Sequence, residues 1–145
     1  IVISLIFFTG CEYKPIYSND NRTNYKIVIQ ELTGDKNLNK FLIEILERNS
    51  QKNSNQVVNI KIDTQYTKKI IAKDTAGNTT DYQASAITIF LIEQNQKSKK
   101  FAVTENFNFQ KMTDKYEEKG YEQNIKRNLA NSIAQKLILR LSIAQ

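Results

Sequence analysis

Chemistry near neutral pH needs side chains that can ionise, attack or ligate, and this chain is short of them. Among 145 residues histidine is absent and cysteine occurs once. Without imidazole there is no Ser-His-Asp triad, no Cys-His pair and no histidine acid–base catalysis. A zinc site built on His or on several Cys is excluded within the chain. Carboxylates survive this filter. Glu117 and Glu118 are neighbours that diverge on a helix, and Glu44 and Glu47 share one exposed helix side. Neither pair adjoins a pocket-forming loop, so both read as solvated surface. The four glycines stand at 10, 34, 77 and 120, too scattered for a phosphate-cradling loop. The expectation is a protein that is not an enzyme and needs no metal or cofactor.

The basic residues are more suggestive. There are 21 Lys plus Arg against 15 Asp plus Glu, a net charge of +6. Lys68, Lys69 and Lys73 lead into one turn, and Lys97, Lys99 and Lys100 surround another. Either group could meet phosphate as point charges, or could be an ordinary solvated turn. Lysine on a sheet edge also blocks edge-to-edge aggregation. In a meander the two turns lie at opposite ends of the sheet, so they need not form one patch.

The lone cysteine has a telling position. Ile1 to Phe8 reads Ile-Val-Ile-Ser-Leu-Ile-Phe-Phe, and Thr9-Gly10-Cys11 follows. Eight residues rise about 12 Å as a helix, far short of a hydrocarbon core of roughly 30 Å. The run is therefore a buried strand or the tail of a signal segment. Small residues before Cys11 leave room for a signal peptidase, and Phe8-Thr9-Gly10-Cys11 looks like a bacterial lipobox with Phe in place of the usual Leu. On that reading residues 1–10 are a truncated leader and Cys11 carries acyl chains. Three such chains, at ~0.8 kcal/mol per buried methylene, anchor effectively permanently. Asp after the lipidated Cys often marks inner-membrane retention; Glu12 stands there and points to the outer membrane. The other reading is a buried free Cys after a core strand.

These groups must be positioned by the rest of the chain. Residues 11–24 are polar, contain the only proline, Pro15, and read as a tether. Residues 25–145 read as one domain, large enough to bury a core without disulfides. Tyr25, Ile27 and Ile29 line one face of a first strand. Thr33-Gly34-Asp35 ends it, with Asp35 as N-cap. Leu38, Phe41, Leu42, Ile45 and Leu46 make one helical stripe. From Val58 the period becomes two, reaching about Ile71. A loop at 73–80 with a Gly77-Asn78 turn signal precedes a strand over Tyr82–Glu93, with Ile87, Ile89 and Leu91 expected inward. Its opposite face is apolar too, which suggests a central or doubly covered strand. A hairpin turn over Asn95–Lys99 leads to Phe101, Val103, Phe107 and Phe109, whose period-two set Glu105 interrupts. Ile125, Leu129, Ile133, Leu137 and Leu141 mark a last helix, expected to start near Gly120 rather than Asp114 because glycine costs about 1 kcal/mol relative to Ala. The order β-α-β-β-β-α predicts an α+β two-layer sandwich, with a mostly antiparallel four-stranded sheet and both helices on one face.

Here the residues carry a resemblance. Thr9-Gly10-Cys11-Glu12-Tyr13-Lys14-Pro15-Ile16-Tyr17 is similar to the Gly-Cys-Gly-Phe-Arg-Pro-Leu-Tyr opening of LPS-assembly lipoproteins, the LptE family. Aromatic, base and aliphatic positions keep their character; Glu12 replaces a small residue. The long amphipathic strand, the Gly77 loop, the hairpin and Asp114-Lys115-Tyr116 before a basic helix resemble the alphaproteobacterial branch. The resemblance implies an outer-membrane lipoprotein on the periplasmic side, plugging and helping to assemble a large LptD-type β-barrel and binding lipopolysaccharide. It also implies a small sheet with two helices on one face. Only Cys11 carries over by motif; the six turn lysines as lipopolysaccharide contacts rest on charge alone.

Two other readings stand beside it. One is an unrelated outer-membrane lipoprotein that binds peptidoglycan or a periplasmic protein. The other is a cytoplasmic nucleic-acid-binding domain, the usual partner of a small basic fold. An exported chain rarely meets nucleic acid, so the expectation is no nucleic-acid partner and an anionic counterpart in lipopolysaccharide.

Overall fold

The structure is a computed structural model and describes residues 24–143. The expected leader over 1–10, Cys11 and the expected tether up to residue 23 lie outside the described residues.

A 14-residue amphipathic stripe and a 29-residue helical stretch cover one face of a four-stranded sheet. In chain order the elements are β1 (Lys26–Gly34), α1 (Lys36–Asn49), β2 (Val57–Lys73), β3 (Thr79–Gln94), β4 (Lys97–Gln110) and α2 (Lys115–Ile143). The strands lie in sequence order. β1 pairs parallel with β2, as a strand–helix–strand crossover allows, and the other pairs are antiparallel. A register shift at Gln30 brings Leu32 onto the face already used by Ile27 and Ile29. This is the expected α+β sandwich with the expected element order.

The core sits between the sheet and the helices. Leu38, Leu42 and Leu46 of α1 and Ile125, Ile133 and Leu137 of α2 share one buried cluster with Val58, Ile60 and Ile62 of β2 and Ala84, Ala86 and Phe90 of β3. Alanines at 84, 86, 130 and 134 are buried and let α2 approach the strands closely.

The turn between β1 and α1 depends on one glycine. Gly34 has φ +95°, and a Cβ there would lie 1.7 Å from the Thr64 carbonyl oxygen. Only glycine fits that approach. Asp35 then caps α1 as expected, its carboxylate accepting from the Leu38 N–H at 2.8 Å.

Three expectations change. Even-numbered residues of β3 face the helices, so Ala84, Ala86, Thr88, Phe90 and Ile92 are buried. Ile87, Ile89 and Leu91 therefore point to the opposite face, and Ile87 is 37% exposed. Both faces of β3 are apolar, and pattern alone chose the wrong one. Secondly, α2 begins at Lys115 and runs through Gly120. The Asp114 carboxylate accepts from the N–H groups of Tyr116 and Glu117 at 2.6 and 3.1 Å, a cap that offsets the glycine. Thirdly, the β3–β4 turn is only Asn95-Gln96, both at positive φ (50° and 62°), so Lys97, Lys99 and Lys100 are strand residues.

Candidate functional site

The topology gives the sheet two distinct ends. At the proximal end the chain leaves residue 24 and enters β1, α1 hands over to β2, β3 turns into β4, and α2 finishes. At the distal end lie the β2–β3 loop and the β4–α2 connection. Strand pleating then divides the lysines of each turn between the two faces.

At the distal end Lys68 faces the helices. Its ammonium lies 2.7 Å from Glu118 and 3.3 Å from Glu122, and 4.2 Å above the Tyr82 ring. Partial burial lowers the Lys68 pKa, but the two carboxylates outweigh it and hold it above the ordinary lysine value. Glu118 is held below the usual carboxylate range, first by its hydrogen bond from Lys68, with help from the Met112 N–H. Glu118 is thus a packing partner rather than free surface. Tyr82, Phe109 and Tyr121 stack around this pair, with centroids 5.5 and 5.9 Å apart. Lys69 and Lys73 are exposed, and among the described residues neither has an ion pair.

The proximal end is built differently. Lys97 and Lys99 are exposed on the helix side, without ion pairs among the described residues. With the last turns of α2 they border a groove of about 970 Å³. Its floor includes Ile92, Phe101, Val103 and Leu141, and its wall Leu139 and Ile143. Arg140 stacks 4.6 Å over the Phe101 ring, and Lys136 pairs with Glu105. That pair explains the carboxylate interrupting the apolar pattern of β4. Lys100 points to the opposite face, beside Leu91. Lys136 and Arg140 join the turn lysines here as cations that the turn motifs do not point to. Their spacing of four residues was the available signal; the nearness of the hairpin was not visible in sequence.

No described element packs on the second face of the sheet. Toward the proximal end it presents Ile87, Ile89 and Leu91, flanked by Lys61 and Lys100. Toward the distal end it is a polar ladder. Gln83 Nε2 donates to Asn108 Oδ1 at 3.1 Å, and the Ser85 hydroxyl donates to Asn106 Oδ1 at 2.5 Å.

Between the ends, a polar cluster ties the helices to the sheet. Lys126 is buried at 7% exposure, donates to Asp35 Oδ2 at 2.9 Å and lies 4.0 Å above the Tyr66 ring. Burial raises the Asp35 pKa, but the Leu38 N–H and Lys126 overcome it and hold the carboxyl below its ordinary range. Asn39 donates to the Thr33 carbonyl and accepts from the Thr64 hydroxyl at 2.7 Å. The Lys126–Asp35 and Thr64–Asn39–Thr33 contacts satisfy one another's polar groups, which makes this a structural network. Among the described residues no group of three His, Cys, Asp or Glu could hold a metal, and no helix is long and apolar enough to cross a membrane.

No protein-family model and no curated protein matches the sequence. Solved structures do match the fold. Rare lipoprotein B from Shewanella oneidensis aligns with TM-score 0.55 and 14% identity, over 76% of this chain and 93% of that one. A minor lipoprotein from Acinetobacter baumannii gives 0.51 and 16%, over 76% and 93%. Lipoprotein B from Nitrosomonas europaea gives 0.52 and 10%, over 83% and 86%. At such identities the likeness establishes a common fold.

Proposed function

We propose that this chain is an outer-membrane lipoprotein of the LptE type, anchored through acylated Cys11. In this reading it sits inside an LptD-type β-barrel as plug and assembly partner, and binds lipopolysaccharide bound for the outer leaflet. The observation that carries it is the bare sheet face. Among the described residues helices cover one side only, and the other combines Ile87, Ile89 and Leu91 with a ladder of amides and hydroxyls. Such a mixed surface suits the wet, polar wall of a large barrel. The opening segment around Cys11 and the fold shared with bacterial lipoproteins support the same reading.

The protein holds and guides, and breaks no bond. Lys68 is committed to Glu118 and Glu122, which of the three lysines at this turn leaves Lys69 and Lys73 for lipopolysaccharide phosphates. Lys100, beside Leu91 on the bare face, lies against the barrel wall.

Affinity purification from outer membranes tests the proposal. A large barrel should co-purify with the wild-type chain and be lost with Ile87→Glu/Ile89→Glu. Recovery of the chain alone, with the barrel present and unbound, overturns it. Acyl labelling of wild type against Cys11→Ala reports the anchor. Lys69→Ala/Lys73→Ala should weaken lipopolysaccharide binding without changing the melting temperature; unchanged affinity removes that site.

A further inference from the structure

The proximal groove is not used by that reading. We propose that it is a seat for anionic phospholipid, by which the domain rests its proximal end on the bilayer surface.

Three observations meet there. The first is direction. Residue 24 enters the sheet at this end, because Lys26 of β1 pairs with Val57 and β2 begins beside the end of β3. The inference takes the Cys11 anchor from the proposed function, for orientation only. Residues 12–23 reach at most roughly 40 Å when fully extended. β2 alone, with its 17 residues, is roughly 56 Å long. A distal-end-down pose would therefore stretch the tether beyond its length, while a proximal-end-down pose does not.

The second is charge. Lys97 and Lys99 are exposed and unpaired among the described residues, and Arg140 and Lys136 stand across the groove. Among the described residues no acid lines the groove, and Glu105 beside it is bound to Lys136. Phosphate headgroups complement this rim, and each Lys or Arg near an anionic surface contributes about 1 kcal/mol.

The third is the apolar part. Leu139 and Ile143 are 61% and 74% exposed on the final turns of α2, one helical turn apart. Large apolar side chains exposed beside cations, above a groove floored by Ile92, Phe101 and Leu141, form an amphipathic surface. Such a surface buries its apolar part at the headgroup boundary. The distal end also exposes Ile70, Ile71 and Tyr116 near Lys69 and Lys73, but its helix-side Lys68 is neutralised by two glutamates and the length of residues 12–23 keeps that end off the bilayer.

Vesicle sedimentation tests the proposal, with the full chain carrying Cys11→Ala so that no acyl chain contributes. Residues 1–8 are apolar except for Ser4 and common to all variants, so the measured quantity is the ratio of binding to phosphatidylglycerol-containing vesicles over phosphatidylcholine vesicles. Lys97→Glu/Lys99→Glu should lower that ratio by at least about tenfold. Lys69→Glu/Lys73→Glu changes the net charge equally at the distal end and should leave the ratio within about twofold. Equal losses from both pairs would mean net charge alone drives binding and would overturn the proposal. So would an unchanged ratio in the proximal variant, or a loss seen with lipopolysaccharide micelles but not with phosphatidylglycerol. Leu139→Ser, at an exposed position, is the second variant should the charge reversals unfold the protein; it should also weaken vesicle binding. Failure of barrel co-purification leaves all these outcomes readable, which separates this proposal from the one above.

Discussion

Each end of the sheet carries lysines beside a turn, yet the lysines on the helix side have opposite fates. Distal Lys68 is sandwiched between Tyr82 and two glutamates of α2. Proximal Lys97 and Lys99 meet the other end of that same helix, where Lys136 and Arg140 line the same groove and the nearby Glu105 is taken up by Lys136. A helix favours acids near its N-terminus and bases near its C-terminus. One long helix laid across the sheet thus cancels lysine charge at one end and adds to it at the other. The role of a lysine is set by which turn of α2 it faces.

The comparison can be broken most severely through its aromatics. Phe109 is buried in the distal cluster, whereas Phe101 is half-buried under the groove. Phe109→Ala should cost about 3–4 kcal/mol and Phe101→Ala clearly less, measured by urea unfolding. Equal losses would show that the two ends are packed alike.

Lys68→Ala should cost about 1–2 kcal/mol, because it leaves two partly buried carboxylates facing each other. The same loss should depend on pH. Glu118 has a lowered folded pKa, so its contribution is complete above the unfolded value and disappears as pH falls through the folded one. Lys68 has a raised folded pKa, so its contribution is complete below the ordinary lysine value and disappears as pH rises through the folded one. The stability difference between wild type and Lys68→Ala should therefore be constant from about pH 5 to 10 and shrink outside that window. A difference that stays constant down to pH 2 would remove the ion pair as its cause.

A stabilising change sharpens the same contrast. Gly120 lies in the distal half of α2, and nothing is within 4 Å of a Cβ placed there. Gly120→Ala should raise stability by about 1 kcal/mol, visible as a higher urea midpoint. The smallest expected effect is at the proximal rim. Lys97→Ala and Lys99→Ala should each stay within about 0.5 kcal/mol of wild type, as unpaired surface residues do. A larger loss there would mean these lysines hold the fold and are not free to bind.

Much of the fold could be read along the chain because its signals are local. The stripe Leu38–Leu46 has helical period, Val58–Ile62 has period two, and Asp35 stands three residues before the N–H it caps. The inward face of β3 could not be read, since Ala84–Ile92 and Ile87–Leu91 are both apolar and only the position of α2 selects one. The start of α2 was hidden because the penalty of Gly120 is visible, while the cap at Asp114 and the contact with Lys68 act together only in the folded chain. Of the site, the turn lysines were visible and their sorting was not. Pleating sends Lys97 and Lys99 to one face and Lys100 to the other, a consequence of a turn two residues long.

What each segment can become is written in its own residues. Period, caps and turn residues act over a few positions, and the lipobox-like stretch at Cys11 and the net charge of +6 are properties of the chain alone. Tertiary structure decided which charges survive folding. A lysine's effective charge depends on the carboxylates within a few ångströms and on its exposure, and for Lys68 those partners lie fifty or more residues away. The bare sheet face and the basic proximal groove likewise exist only once α2 has crossed from one end of the sheet to the other.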